Sequence, residues 1–316
     1  MKIALLATGG TIAGVGEPGE THNYTSGVLS AEKLLQDIPE ISQIAEVVLE
    51  QICNINSDDI THEIWIFLSN RVNAYLQRDD IDGVVITHGT DTMDETAFFL
   101  WLTSLAYRYQ KPVVLTGAML PSTAKIPDGP RNLVGAIQSC QNLIGVYVYF
   151  AGRLMDARSV QKLNATELDA FGTTLDPSLM ESQNASKALP SIHFEVQHLK
   201  SLPKVSVLYF NVDADPLLLE YASKISEGVV IAGAGAGEMS ESWMQLLENI
   251  KKPVVVSSRI NQGMVPNDKV LPGHAIPSND LPPQKAAVLL RLALSKACCE
   301  GLPDYAERIR ECFKKV

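Results

Sequence analysis

A buried strand that runs directly into an apolar helix, at residues 83–95, constrains this chain more than any other feature. Residues 84–86 (Val-Val-Ile) are the short β-branched run expected of a strand covered on both faces. Apolar residues then recur at helical spacing, at Phe98, Phe99, Leu102 and Leu105. This order of elements is typical of open α/β sheets, which bind ligands at the carboxyl ends of their strands.

The junction between this strand and this helix is polar, with the order His88-Gly89-Thr90-Asp91. A helix that begins near Thr92 leaves unpaired N–H groups and a partial positive charge there, so a substrate carboxylate could bind beside it. The alternative is that Asp91 only caps the helix and Thr90 is a turn residue. We interpret His88 as a structural turn residue.

The first fourteen residues repeat this order of elements. Residues 3–7 (Ile-Ala-Leu-Leu-Ala) predict a strand, and Thr8-Gly9-Gly10-Thr11 follows it. The two glycines allow a tight turn and a close approach to a ligand. The polar loop that comes next, at residues 15–27, has no periodicity and carries Tyr24 as its one large ring. We interpret this lid loop as a segment that closes over a site, with an ordinary surface loop as the alternative.

Strands and helices alternate along the chain, which predicts a mostly parallel sheet flanked by helices. Further predicted helices lie at residues 30–45, 61–77, 129–143, 215–225, 240–250 and 283–299, and further predicted strands at 47–52, 112–116, 146–150, 205–210, 228–232 and 254–257. We therefore predict an α/β fold with a large N-terminal domain at 1–183, a linker at 184–204 and a smaller C-terminal α/β domain at 205–316.

The composition excludes several classes of partner. The 316-residue chain has a formal net charge of −10 and no basic run, which argues against nucleic acid and anionic membranes. Its five cysteines lack Cys-x-x-Cys spacing, which indicates reduced thiols and neither a disulfide framework nor a zinc site. We therefore expect a cytoplasmic protein, or a periplasmic one if a leader peptide has been removed.

Several familiar catalytic motifs are missing. Gly233-Ala-Gly-Ala-Gly-Glu238 nearly copies the dinucleotide-binding pattern, but Glu238 would direct a carboxylate at the pyrophosphate, so we expect no such cofactor. The chain has neither Gly-x-Ser-x-Gly nor His-Glu-x-x-His, and we expect no metal. A threonine nucleophile remains. Since an aliphatic hydroxyl is weakly nucleophilic at neutral pH, it needs a nearby base and donors for the oxyanion.

As a set, the motifs resemble those of the bacterial-type L-asparaginases, in the family's order over nearly the whole chain. The resemblance rests on residues 7–14, 23–25, 86–93, 117–122, 128–130 and 132–133, on Lys162 and on residues 283–286. It implies a cofactor-independent amidohydrolase that converts L-asparagine and water to L-aspartate and ammonia through an acyl-threonine intermediate.

The resemblance also implies catalytic roles. Thr11 would attack the side-chain amide carbon, and Tyr24 would relay its proton. Thr90, Asp91 and Lys162 would form a second cluster that activates Thr90 or the hydrolytic water. Both threonines follow predicted strands, and which of them attacks first stays open.

Substrate-binding roles follow from the same resemblance. Ser57 and Asp58, with Thr90 and Asp91, would hold the α-carboxylate and α-ammonium of the substrate. Ala118 would meet the leaving amide through its backbone. The implied assembly is a homotetramer built as a dimer of dimers, in which adjacent subunits complete each site.

The chain departs from the family where the partner subunit contributes. Family members usually carry Asn or Ser at the position of Glu238, and Gln or Glu at that of Asp58, and the segment 261–282 is shortened. We hypothesise that Glu238 of one subunit joins Asp58 and Asp91 of its neighbour around the substrate ammonium. The alternative is an exposed Glu238 that faces solvent.

Three other functions stay open. A glutaminase-asparaginase would use the same machinery on a side chain one methylene longer. The amidase subunit of a tRNA amidotransferase shares the two threonine motifs, although the acidic charge disfavours it. A non-catalytic asparagine or aspartate sensor would need the carboxylate and ammonium contacts but no activated hydroxyl.

Overall fold

The structure is a computed structural model that describes residues 1–173, 190–300 and 305–316. These residues divide into two compact units, one of residues 1–173 with 195–198 and one of the described residues in 190–194 and 199–316. Of the predicted linker at 184–204, the part up to residue 189 lies outside the described residues. Residues 190–204 form neither helix nor strand.

The first unit contains ten strands and six α-helices among its described residues. The strands are β1 (Lys2–Gly9), β2 (Val15–Gly16), β3 (Tyr24–Thr25), β4 (Glu46–Ile55), β5 (Gly83–Thr87), β6 (Pro112–Thr116), β7 (Gly145–Phe150), β8 (Arg153–Asp156), β9 (Val160–Lys162) and β10 (Phe171–Thr173). The helices are α1 (Ala31–Gln36), α2 (Ile41–Ile44), α3 (His62–Leu76), α4 (Met93–Thr103), α5 (Ala106–Tyr109) and α6 (Gly129–Ser139).

Six of these strands form one sheet in the order β4-β1-β5-β6-β7-β8. All neighbours in it are parallel except β7 and β8. The prediction of a mostly parallel sheet is therefore confirmed. β1 and β5 are adjacent and in register, with Ala7 beside Thr87, so the loops that follow them leave the sheet side by side.

Helices cover both faces of this sheet. Ile3, Leu5 and Val85 point to one face, where they belong to a buried cluster with Ile41 of α2 and Leu133 of α6. The alternate strand residues face the other side and are equally buried, since α3 and α4 contact the central strands there. Burial on both faces is the reason these strands read as continuous apolar runs.

The predicted helix at residues 30–45 is wrong in its extent. The chain forms the two short helices α1 and α2, with a break at residues 37–40. Pro39 explains the break, because proline has no N–H to donate and disfavours helical backbone at the residue before it. The predicted helix at 129–143 ends earlier, at Ser139, and Leu105 lies beyond the end of α4.

The second unit is built on a parallel four-stranded sheet with the order β11 (Val205–Tyr209), β12 (Gly228–Gly233), β13 (Val254–Ser258) and β14 (Ile276–Pro277). Its helices are α7 (Leu217–Ile225), α8 (Glu241–Leu247), α9 (Pro283–Glu300) and α10 (Tyr305–Lys315). Neither β14 nor α10 was predicted from the sequence. No helix in the described parts of the chain is long and apolar enough to cross a membrane.

Candidate active site

The first two site residues, Thr11 and Tyr24, meet beside the end of β1. Thr11 begins a short 3-10 turn (Thr11–Ala13), and only 9% of its surface is exposed. Its Oγ1 lies 2.8 Å from the hydroxyl oxygen of Tyr24, and either atom could donate the hydrogen bond. Tyr24 stands on β3, which pairs with β2 in a two-residue antiparallel hairpin. The lid loop therefore places a phenol directly on the hydroxyl of Thr11.

A second cluster lies at the end of β5. Nζ of Lys162 donates to Oγ1 of Thr90 over 2.9 Å and to Oδ1 of Asp91 over 2.6 Å. The lysine side chain is only 14% exposed, whereas that of Asp91 is 69% exposed. Solvent therefore screens the ion pair from the aspartate side. The structure brings together the three residues that were predicted to form this cluster.

Asp91 does not cap the helix that follows it. Residues 90–92 form a 3-10 turn, and α4 then starts at Met93 with Thr92 as its N-cap and no side-chain cap bond. The carboxylate of Asp91 accepts from Lys162. The alternative in which Asp91 serves only as an N-cap is therefore wrong.

Ser57 links the loop after β4 to this cluster. Its Oγ accepts from the backbone N–H of Asp91 over 3.2 Å, and its carbonyl oxygen accepts from Oγ1 of Thr92 over 2.7 Å. A Cβ on Gly89 would lie 2.8 Å from Oγ of Ser57, so only a glycine permits this approach. Asp58 is the next residue of the same 3-10 turn and is exposed. The carboxyl ends of the parallel strands β4, β1 and β5 therefore meet at the same end of the sheet.

His88 is fully buried behind the Thr90 loop and is held by hydrogen bonds on both ring nitrogens. Its Nδ1 lies 2.7 Å from the carbonyl oxygen of Gly89, which can only accept, so this nitrogen carries the proton. Its Nε2 lies 3.0 Å from Oγ1 of Thr96, and that oxygen accepts from Nε1 of Trp65 over 2.8 Å. Burial lowers the pKa of His88 to about 4, so the ring is neutral at pH 7.

The loop around Ala118 is held by the side chains of Asp128 and Asn132. The carboxylate of Asp128 accepts from the backbone N–H groups of Met119 and Leu120, each over 3.0 Å. Nδ2 of Asn132 donates to the carbonyl oxygen of Gly117 over 3.0 Å. The backbone of the buried Ala118 is therefore fixed on both sides.

Sequence reasoning assigned no role to Asp128 or to Asn132. An aspartate at the start of a predicted helix suggests an N-cap, but Asp128 makes no side-chain cap bond and its carboxylate binds the preceding loop. Trp65 and Thr96 were missed as well, because no local pattern connects them with His88.

Glu238 lies in the second unit, at the end of a glycine-rich turn after β12. Its Oε1 accepts from Nζ of Lys269 over 2.6 Å, and the same ammonium donates to the carbonyl oxygen of Ala236 over 2.7 Å. The glutamate side chain is 66% exposed. Lys269, which was not predicted from the sequence, neutralises part of the charge at this position.

The first-unit site combines two hydroxyls that have different partners. The hydroxyl of Thr11 meets a phenol, which can accept one proton while it donates another. The hydroxyl of Thr90 accepts from an ammonium group, which the carboxylate of Asp91 holds in place. Among the described residues, no group of three or more His, Cys, Asp or Glu side chains is arranged to hold a metal ion. This arrangement suits acyl transfer to a hydroxyl nucleophile.

Comparison with known proteins covers nearly the whole chain. Residues 2–191 match the family model "Asparaginase, N-terminal", and residues 204–312 match "Glutaminase/Asparaginase C-terminal domain". The chain is 39% identical to "L-asparaginase 2" of Bacillus subtilis (strain 168), over 93% of this chain and 83% of that protein. It is 32% identical to "Glutaminase-asparaginase" of Pseudomonas fluorescens biotype A, over 93% of this chain and 86% of that protein. The crystal structure of a probable cytoplasmic L-asparaginase from Campylobacter jejuni superposes with a TM-score of 0.83 at 36% identity, and covers 100% of this chain and 99% of that one.

Proposed function

The chain belongs to the asparaginase family, and from this membership we propose that it hydrolyses L-asparagine to L-aspartate and ammonia. The observation that carries the proposal is the 2.8 Å contact between the hydroxyls of Thr11 and Tyr24. A protein that only bound asparagine would need no such pair, because ligand carboxylate and ammonium groups can be held without an activated hydroxyl.

In the proposed mechanism, Oγ1 of Thr11 attacks the side-chain amide carbon and becomes the ester oxygen. Its proton passes to the hydroxyl of Tyr24, which gives its own proton to the leaving nitrogen, so ammonia departs and the phenol stays neutral. Water then attacks the aspartyl ester and restores the threonine hydroxyl. The cluster of Thr90, Asp91 and Lys162 orients this water, because the ammonium of Lys162 donates to Oγ1 of Thr90 and holds that hydroxyl in place. The proton that the water loses returns through the hydroxyl of Tyr24 to Oγ1 of Thr11.

Substrate binding is proposed for the buried hydroxyls and the exposed carboxylates of the same site. Ser57, Thr90 and their neighbours Asp58 and Asp91 hold the α-carboxylate and α-ammonium groups of asparagine. The exposed carboxylates of Asp58 and Asp91 attract the ammonium. The backbone at Ala118, fixed by Asp128, meets the leaving amide.

The proposed assembly is a homotetramer, a dimer of dimers in which Glu238 of one subunit completes the site of its neighbour. Helix α7 supports self-association because it has exposed apolar side chains in addition to the buried ones that pack on its own unit. Leu219 and Ala222 are buried, while four apolar side chains are exposed at Leu217, Leu218, Tyr221 and Ile225. A contiguous exposed apolar patch of this kind marks a protein interface. Sedimentation equilibrium tests the assembly, and a monomer at micromolar concentration would refute it.

Glutaminase activity at the same site is the second candidate, since the relative from Pseudomonas fluorescens is named a glutaminase-asparaginase. One methylene separates the two substrates, and pockets discriminate such a difference by only about 1 to 3 kcal/mol unless polar groups are left unpaired. We place the enzyme in the cytoplasm, because the probable cytoplasmic enzyme of Campylobacter jejuni matches it over its full length and because Cys140 is a buried free thiol. Fractionation of host cells tests this location.

The decisive experiment measures ammonia release from L-asparagine and from L-glutamine over a range of concentrations, without tRNA or a partner subunit. Thr11→Ala and Thr90→Val are assayed beside the parent protein. Hydrolysis of asparagine that both variants largely lose supports the proposed function, and the comparison of substrates gives the preference. Binding of asparagine in a calorimeter without ammonia release would overturn it in favour of a sensor. Turnover only with tRNA and a partner subunit would favour an amidotransferase subunit.

A further inference from the structure

The loop at residues 119–128, here named the bracket loop, holds the start of the lid loop through two consecutive residues. The backbone N–H and the Oγ of Ser122 both donate to the carbonyl oxygen of Gly14, over 3.0 Å and 2.7 Å. Oγ1 of Thr123 accepts from the N–H of Gly16 over 2.9 Å, and its carbonyl oxygen accepts from the N–H of Gly19 over 2.9 Å. Four hydrogen bonds therefore connect two residues of the bracket loop to three glycines.

Two of these glycines, Gly14 and Gly16, lie in close contact with Tyr24. A Cβ on Gly14 would stand 2.8 Å from Cδ2 of the tyrosine ring, and one on Gly16 would stand 3.1 Å from Cβ of Tyr24. Gly16 is also the residue that pairs with Tyr24 across the β2–β3 hairpin. Any displacement of Gly14 or Gly16 therefore moves the ring itself.

The bracket loop is anchored independently of the lid. The carboxylate of Asp128 holds the N–H groups of Met119 and Leu120, and the N–H of Ala124 donates to the carbonyl oxygen of Pro121 over 3.0 Å. Asp128 is only 4% exposed, at the start of α6. The loop can therefore act as a fixed frame against which the lid is aligned.

We propose that Thr123, assisted by Ser122, is a positioning residue that holds the hydroxyl of Tyr24 against Thr11 by fixing the backbone of Gly16. This inference rests on the proposed function for its effect on rate, since Tyr24 relays the proton there. Thr123 acts through the lid and touches neither reacting atom. Without its Oγ1, the N–H of Gly16 loses its acceptor and the hairpin gains freedom that the proton relay cannot tolerate.

The test uses Thr123→Val, which keeps the shape of the side chain and removes the acceptor, with Thr123→Ser as the matched control that keeps the hydroxyl. We expect Thr123→Val to lower kcat for asparagine about tenfold, with a smaller change in KM, and Thr123→Ser to stay near the parent. Hydrogen exchange followed by mass spectrometry should show faster exchange in residues 15–25 of Thr123→Val alone. In a Tyr24→Phe background, Thr123→Val should cause no further loss of kcat.

Two results would overturn the proposal. One is a Thr123→Val protein whose kcat and lid exchange match those of the parent. The other is a loss of kcat that is undiminished in the Tyr24→Phe background, because Thr123 would then act by a route other than the tyrosine hydroxyl. A parent protein that releases no ammonia refutes the proposed function instead, and the exchange measurement still reports whether Thr123 holds the lid.

Discussion

Gly10 and Gly89 lie against each other, with no room for a side chain on Gly10. A Cβ on Gly10 would stand 2.5 Å from both N and Cα of Gly89, which is closer than real Cβ atoms approach any backbone atom. This contact joins the loop after β1 to the loop after β5. The loop that carries Thr11 therefore lies beside the loop that carries Thr90, as the proposed mechanism requires.

Replacement of Gly10 by alanine should separate the two threonine loops. Gly10 has φ +80°, so alanine adds backbone strain as well as the clash with Gly89. Gly152→Ala is the matched control, because Gly152 has φ +81° and an added Cβ there meets nothing within 4 Å. We expect Gly10→Ala to lose at least about a hundredfold in kcat, whereas Gly152→Ala loses about 1 to 2 kcal/mol of stability and keeps its rate. Equal kinetics for the two variants would refute this account of the contact.

Replacement of Lys162 by methionine should abolish most of the turnover while the protein stays folded. The apolar side chain fills the same space but leaves Thr90 and Asp91 without their shared donor. We expect kcat for asparagine to fall about a hundredfold to a thousandfold. Lys33→Met removes an exposed pair with Asp37 of the same 2.6 Å length and serves as control, with a change in stability below about 1 kcal/mol and no change in rate. Steady-state assays of the two variants, run in parallel, compare their kcat for asparagine. A Lys162→Met enzyme with more than a third of parental kcat would contradict the prediction.

Acid should destabilise the protein through His88. Its pKa is about 4 in the folded protein, against 6.5 for an unperturbed histidine, so below pH 6.5 the unfolded chain binds a proton that the folded chain does not. The free energy of unfolding therefore falls as pH falls from 6.5 to about 4, by about 1.4 kcal/mol per pH unit, or about 3 kcal/mol in all from this residue.

The non-titrating variant His88→Gln isolates this effect. We expect it to be less stable than the parent at pH 7, because it loses the hydrogen bond to Gly89. The difference between the two proteins should shrink by about 3 kcal/mol between pH 7 and pH 4. Urea unfolding at several pH values measures it, and parallel stability curves for the two proteins would show that His88 is not responsible.

Charge changes at Glu238 and Lys269 should shift apparent substrate affinity in opposite directions. If Glu238 faces the substrate ammonium of a neighbouring subunit, Glu238→Gln weakens that attraction. Lys269→Met removes the cation that neutralises the carboxylate, and so strengthens it. We expect KM for asparagine to rise about threefold to tenfold in the first variant and to fall in the second, with both effects smaller at high salt. Unchanged KM in both variants would place Glu238 outside the site.

The main strands of both units could be predicted because each contains a short apolar run, which in β5, β6 and β12 is buried on both faces. β8, β9 and β10 were missed, because strands of three or four residues are too short to show a clear alternation of apolar and polar residues. The single helix predicted at 30–45 is wrong for a different reason. Its apolar residues do continue at helical spacing, but Pro39 interrupts the hydrogen bonds that would join them.

Local sequence determined which residues stand at the strand ends, because glycine turns, hydroxyls and carboxylates follow apolar runs within a few positions of each other. It also carried the family resemblance, and with it the expectation of a threonine nucleophile. Only the tertiary structure decided which of these ends meet. Lys162 reaches Thr90 across 72 residues of sequence, and Thr123 reaches Gly16 across 107. Such contacts depend on the order of strands in the sheet and on the close approach of Gly10 to Gly89, and no local pattern encodes either.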